Sequence, residues 1–156
     1  MNHLLKFWSL SRREKLFLVE AGILLLFSNL SIKAIAFRHI ERFLRARWND
    51  ISRGAFNDAD DIELVELSVS RMASLLPWKS LCLTRSIAEF IMLRRRGIPA
   101  IMYVGVRFSD NLSLLAHAWV HTRRQVANGN EDTAYTPLVV IGQEPGSLNS
   151  GLKSFR

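Results

Sequence analysis

The chain has 156 residues, 49% of them apolar, and carries 21 Lys and Arg against 14 Asp and Glu, for a formal charge of +7. That length suits one hydrophobic core in one domain with helical embellishment, and a single cysteine excludes an internal disulfide framework. With no Cys/His cluster at metal-ligand spacing, no structural zinc and no cofactor are expected; the basic balance suits phosphate, an anionic membrane surface or an acidic peptide without choosing among them.

The stretch "SLSRREKLFLVEAGILLLFSNLSIKAIAFRHIERFLRARW" opens the chain's organised part. Its apolar run and the "AIA" at Ala34 to Ala36 imitate a secretory signal, but Glu20 precedes the run and Asn29, Ser31 and Lys33 follow closely. The uninterrupted apolar stretch is far below the roughly 18 residues that span a bilayer. The stretch reads as helix instead: Ser11 is an N-cap candidate, and Glu14, three residues on, completes a capping box. Leu16, Val19, Ile23, Leu26 and Leu30 recur at helical spacing, with Lys33, Arg38, Arg42 and Arg45 on later turns. Two readings stay open, a helical hairpin packed on the rest of the protein and a basic amphipathic segment in peripheral contact with a membrane. Residues 1–56 are assigned to this hairpin and residues 57–156 to the core.

Acids gather from Asn57 to Glu66 and lead into a second helical pattern in which Ile62, Val65, Val69, Met72 and Leu76 mark one face, before Pro77 ends it. Acids in a first helical turn suit its partial positive charge, so the run needs no chemistry. A further helix is expected from about Ser80 to Arg96, along Ile87, Phe90 and Ile91, with arginines in its last turn and Gly97 just beyond. Cys82 therefore falls in a first turn, where unsatisfied backbone N–H groups stabilise an anion; a thiol so placed is either a nucleophile or a small buried hydrophobe.

Three extended segments follow, 98–108, 113–124 and 133–142, rich in Val, Ile, Tyr and Trp and separated by "SDN" and "NGNED" turns. Of the four histidines, His117 and His121 lie on the middle segment, and Leu115, His117, Trp119 and His121 share one side of it. Nucleophilic catalysis needs a base within reach of sulfur, and His117 is the candidate. A cysteine helix packed on an antiparallel sheet that supplies histidine is an α+β arrangement of papain/transglutaminase-like type.

"PWKSLCLTRSIAEFIMLRRRGIPAIMYVGVRF" followed by "LLAHAWVHTRR" resembles the transglutaminase-like leader peptidases of lasso-peptide biosynthesis, the B-protein protease domain of microcin-type pathways. In that family a Trp before "CL.R" opens the cysteine helix, "LRRRGIPA" closes it and "AHAWV" carries the histidine; the opening "SRREKLFLVEAGILLL" is similar too, so the likeness covers nearly the whole chain. The resemblance implies a cytoplasmic cysteine peptidase that removes the leader from a ribosomally made precursor peptide. It also implies a separate leader-recognition protein, for which exposed apolar surface on the N-terminal helices would be a docking platform, and an ATP-using cyclase that closes the lasso.

The family's acid is expected on the strand after the histidine, where this chain reads "QVANGNEDTAY"; Asn128 stands beside the expected place and Gly129 on it. Asn128 and Asp132 are rivals for orienting His117, since an asparagine serves a Cys–His pair as well as a carboxylate does. Trp78 and Trp119 are candidates to wall the substrate cleft. Arg85, one turn after Cys82, either contacts substrate or fixes a connecting loop. Two other classes stay open, a transglutaminase-like acyltransferase and an inactive binding or assembly module. Scattered basic residues without an aromatic groove pattern argue against nucleic acid.

Overall fold

The computed structural model describes residues 10–48, 59–76, 82–109, 113–122 and 135–142. In chain order these form α1 (Arg12–Ala34), α2 (Phe37–Trp48), α3 (Ala59–Leu75), α4 (Cys82–Arg95), β1 (Ala100–Phe108), β2 (Leu114–Thr122) and β3 (Thr136–Ile141). Helices packed on a small antiparallel sheet, the α+β class expected from the sequence, is what is observed.

α1 begins at the capping box. The Glu14 N–H donates to Ser11 Oγ at 3.2 Å and the Ser11 N–H donates to Glu14 Oε2 at 2.7 Å, satisfying two donors that a helix start otherwise leaves open. The side-chain and then the backbone hydrogen bond to Ser11 hold the Glu14 carboxyl below its ordinary range. The helix closes when the Ile35 N–H reaches Ser31 O at 2.8 Å and Ile35 itself turns extended.

The leucine-rich stripe of α1 is not the face it buries. Leu16, Val19, Ile23, Leu26 and Leu30 are 46% to 70% exposed, whereas Phe17, Leu18, Ala21 and Leu25 are buried. Being apolar nearly all round, α1 has its inner face chosen by the polar groups beside it. Glu20 accepts from Arg96 Nη2 at 2.5 Å and from Arg95 Nη1 at 3.1 Å, fastening α1 to the end of α4, and Arg13 pairs with Asp61 of α3. The Arg96 guanidinium also lies 3.9 Å from the Phe17 ring centroid. By length and composition α1 is long and apolar enough to cross a membrane. A count of uninterrupted apolar residues misses this, because Ser28 and Asn29 break the run without much lowering its average.

α3 carries Asp60 and Asp61 in its first turn and turns Val65 and Val69 into the core, with Ile62, Met72 and Leu76 packed against it, the face read from the sequence. α4 buries Ile87, Ala88, Phe90, Ile91, Met92 and Leu93. Its end is a Schellman turn: the Ile98 N–H donates to Leu93 O at 3.0 Å and the Gly97 N–H to Arg94 O at 3.1 Å, with Gly97 at φ 75°. Arg94 is itself buried, donating from Nη2 to Trp48 O at 2.6 Å, and Trp48 meets Phe90 edge to face at 6.4 Å.

The sheet order is β2-β1-β3, antiparallel throughout, with β1 central. Ala100, Met102 and Val104 face the helices together with Val120, Val139 and Ile141 from the flanking strands. At Val104/Gly105 the β1–β3 register shifts, and there a side chain has no room. A Cβ on Gly105 would stand 2.7 Å from Thr136 O and 2.9 Å from the Trp119 ring, so backbone and indole would both have to give way. Gly105→Ala is therefore expected to destabilise the chain by about 2 kcal/mol, read as a lowered urea midpoint at unchanged m-value. A midpoint within error of wild type would show that the bulge relaxes without loss.

Candidate active site

α4 packs against both β1 and β2, and Cys82 is its first residue. The far end of the helix is fixed by the Schellman turn, the Arg94 bond to Trp48 and the Glu20 clamp, and near its start Arg85 bonds Ser70 of α3. Cys82 is neither buried nor fully exposed, and its thiol is free. A half-exposed sulfur at a helix start is open to a ligand and close to backbone N–H groups that have no helical carbonyl to bond.

β2 alternates. Ala118 and Val120 are buried on the helix side; the opposite face carries His117, Trp119 and His121, of which Trp119 is itself buried. The His117 ring stacks on Trp119 at 5.8 Å with 13° between the planes, and Trp119 stacks on Tyr103 of β1 at 5.4 Å and 13°. Tyr103 in turn meets His121 at 5.2 Å, tilted by 60°. Tyr135, just before β3, stands 5.1 Å from His117 and lies under the Arg107 guanidinium at 5.0 Å. The cross-strand pair Tyr103↔Trp119 creates this shelf, and Gly105, opposite His117, leaves space for the indole to lie across β1. Burial pushes the Tyr103 phenol up from its ordinary range. An imidazole flanked by Trp119 on its own strand and Tyr135 from the next is limited in the rotamers it adopts, a form of preorganisation.

Of the residues named from the sequence, His117 and Trp119 are brought into contact, and Cys82 heads the helix that packs on their strand. Arg85 is exposed and its Nη2 donates to Ser70 Oγ of α3 at 3.3 Å, so its side chain ties α4 to α3. Trp78, Asn128 and Asp132 lie outside the described residues. Tyr103, Tyr135 and Arg107 were not anticipated. Tyr103 follows only once strand register is known, and Tyr135 follows a stretch of sequence without periodicity.

A second electrostatic feature sits on the same helix. Glu89, seven residues after Cys82, has its carboxyl raised to about 7, first by burial and then by the charge of Glu66 on α3, with Arg85 pulling the other way. Glu66 is raised as well, by burial and by Glu63, and its Oε1 is buried without a hydrogen-bond partner among the described residues. The acid run read as a helix-start device thus also contributes Glu66 to a carboxyl pair. Among the described residues no group of three or more His, Cys, Asp or Glu is gathered as a metal would need.

The family model described as transglutaminase-like superfamily matches residues 24–140, from the middle of α1 to the penultimate residue of β3. Neither a curated protein nor a solved structure matches the chain.

Proposed function

The chain belongs to the transglutaminase-like superfamily, whose chemistry is of the cysteine peptidase or acyltransferase type, and we propose that within it this protein is a cysteine peptidase that removes the leader from a ribosomally made lasso-peptide precursor. The observation that carries the reading is the placement of the lone cysteine as first residue of a helix packed on β2; His117 stands on the other face of that strand, so the reaction requires imidazole and sulfur to meet past the edge of β2, an outer strand of the sheet. The pathway assignment rests on the "CLTR", "LRRRGIPA" and "AHAWV" resemblance.

In the proposed reaction His117 takes the Cys82 proton and the thiolate attacks the carbonyl carbon at the leader–core junction. The C=O electron pair moves to oxygen, where backbone N–H groups at the start of α4 stabilise the charge. Collapse breaks the C–N bond, the core's amine leaves with the proton from His117, and an acyl–sulfur ester remains on Cys82. Water, deprotonated by the same imidazole, then hydrolyses that ester to a carboxylate. Asn128 or Asp132 orients the imidazole, and Trp119 and Trp78 wall the cleft. A separate recognition protein presents the leader, a cyclase takes the released core, and the whole sequence runs in the cytoplasm where the precursor is made.

Incubation with a precursor encoded beside this chain, analysed by mass spectrometry, tests the reading. The expected products are a leader with a new carboxylate and a core with a new amine. A leader whose mass carries an added amine would assign the chain to acyl transfer, because an amine rather than water resolved the thioester. An intact precursor, with the recognition protein present, would leave a binding or assembly role.

A further inference from the structure

α1 is apolar on both sides but only one side is inside the protein. The outer side shows Leu16, Val19, Ile23, Leu26, Phe27 and Leu30, each at least 46% exposed, along a helix roughly 34 Å long. The helix cannot leave the fold to span a bilayer without giving up its inner face, which carries Phe17, Ala21 and Leu25 in the core and Glu20 in its ion pairs with Arg95 and Arg96. Apolar surface also continues sideways. Phe27 lines a cleft of about 280 Å³ that runs between α1 and α2 to Ile35, Ile40 and Phe43, and Ile35 and Phe43 are themselves exposed. At its floor the Ser28 hydroxyl is buried with no hydrogen-bond partner among the described residues.

The exposed charges on α1 and α2 are of one sign, while Asp60 and Glu63 are exposed on the neighbouring α3. Arg12 and Lys33 stand exposed at the two ends of α1, and Arg38, Arg42 and Arg47 on α2. The acids of the same two helices are turned to other uses: Glu14 closes the capping box, Glu20 binds Arg95 and Arg96, and Glu41 binds Arg45. A second copy of the chain would bring a like-charged rim against this one, with +7 on each molecule. An apolar face with a cationic border and no exposed carboxylate on it matches an anionic bilayer surface, where apolar side chains enter the acyl boundary and Lys and Arg meet phosphates. We propose that the outer face of α1, with the adjoining α1–α2 cleft, docks the protein flat on an anionic membrane surface. The cleft is of a size to take an acyl segment beside Phe27 and Phe43. This inference does not rest on the peptidase reading.

Co-sedimentation of the full chain with vesicles tests it. The chain is expected to bind phosphatidylcholine vesicles containing phosphatidylglycerol, and to bind phosphatidylcholine alone at least about tenfold more weakly, with added salt weakening the anionic case. The double variant Ile23→Glu, Leu26→Glu replaces side chains that are 62% and 46% exposed, so its circular dichroism is expected to match wild type while vesicle binding falls by about tenfold or more. Lys33→Glu, which leaves the apolar face intact, is expected to weaken binding to the anionic vesicles alone. Cys82→Ala is expected to bind as wild type. Absence of binding to the anionic vesicles, or equal binding by wild type and both variants, would overturn the proposal. So would a dimer in sedimentation velocity that the double variant converts to monomer, which would give the face to a second copy.

Discussion

Cys82→Ala is expected to end precursor cleavage, and His117→Ala to slow it by roughly two to four orders of magnitude, with circular dichroism and urea midpoints near those of wild type. Both positions are solvent-accessible in part: Cys82 and His117 belong to neither the fully buried set nor the core cluster. Truncation at either therefore leaves little cavity, and lost turnover reports chemistry rather than unfolding. The double variant is expected to be no slower than Cys82→Ala, because a nucleophile and its base act as one unit and their losses do not add. Single-turnover assays with a saturating recognition protein separate this from loss of substrate binding. Retention of measurable cleavage by Cys82→Ala would remove the thiol from the reaction. Retention by His117→Ala would direct attention to His121, which shares the same strand face.

Trp119 gives a finer discrimination within that result. Its indole stacks on both His117 and Tyr103, so it acts on the imidazole's orientation as well as on the cleft wall. Loss of orientation would appear in kcat, and loss of a wall in KM.

Features that local chemistry dictates could be read from the residues. The Ser11/Glu14 box, the glycine stop at Gly97, the acids at the start of α3 and the three extended segments each depend on a few neighbours in sequence, and each is where it was expected. α1 shows where such reading ends. A stripe at helical spacing marks a face, but when the opposite face is also apolar the spacing cannot tell which one a neighbour will cover. That decision was made by Glu20 meeting two arginines 75 and 76 residues away, a pairing invisible in the local pattern. The candidate site divides in the same way. His117 and Trp119 share a side of one strand by alternation alone, whereas Tyr103 joins them through register and Tyr135 through the return of β3. In the sequence Gly105 is one glycine within an extended segment; its role appears only where the Trp119 ring and Thr136 O occupy the volume a side chain would need.

Glu89→Gln is expected to make the protein more stable at pH 8 and to leave it nearly unchanged at pH 4. The Glu89 carboxyl is raised from its ordinary 4.5 to about 7, with burial as the main cause and Glu66 as the next. In the unfolded chain the same carboxyl ionises near its ordinary value. Between these two values the native state holds a proton that the unfolded state has released, so stability falls as pH rises through the window and the loss is complete above about pH 7. The shift from 4.5 to about 7 corresponds to a cost of about 3 kcal/mol at most, since each unit is worth about 1.4 kcal/mol. Glutamine keeps the shape and never ionises, and it supplies a permanent N–H donor in place of the protonated acid's O–H. Urea denaturation of wild type and variant at pH 4 and pH 8 reads the difference directly: the midpoints should lie together at pH 4, below the window, and separate at pH 8, with the variant higher. A separation of the same size at both values would mean that the substitution acts through packing. A variant less stable at pH 8 would mean that the Glu89 carboxylate is held by Arg85 more strongly than burial and Glu66 oppose it.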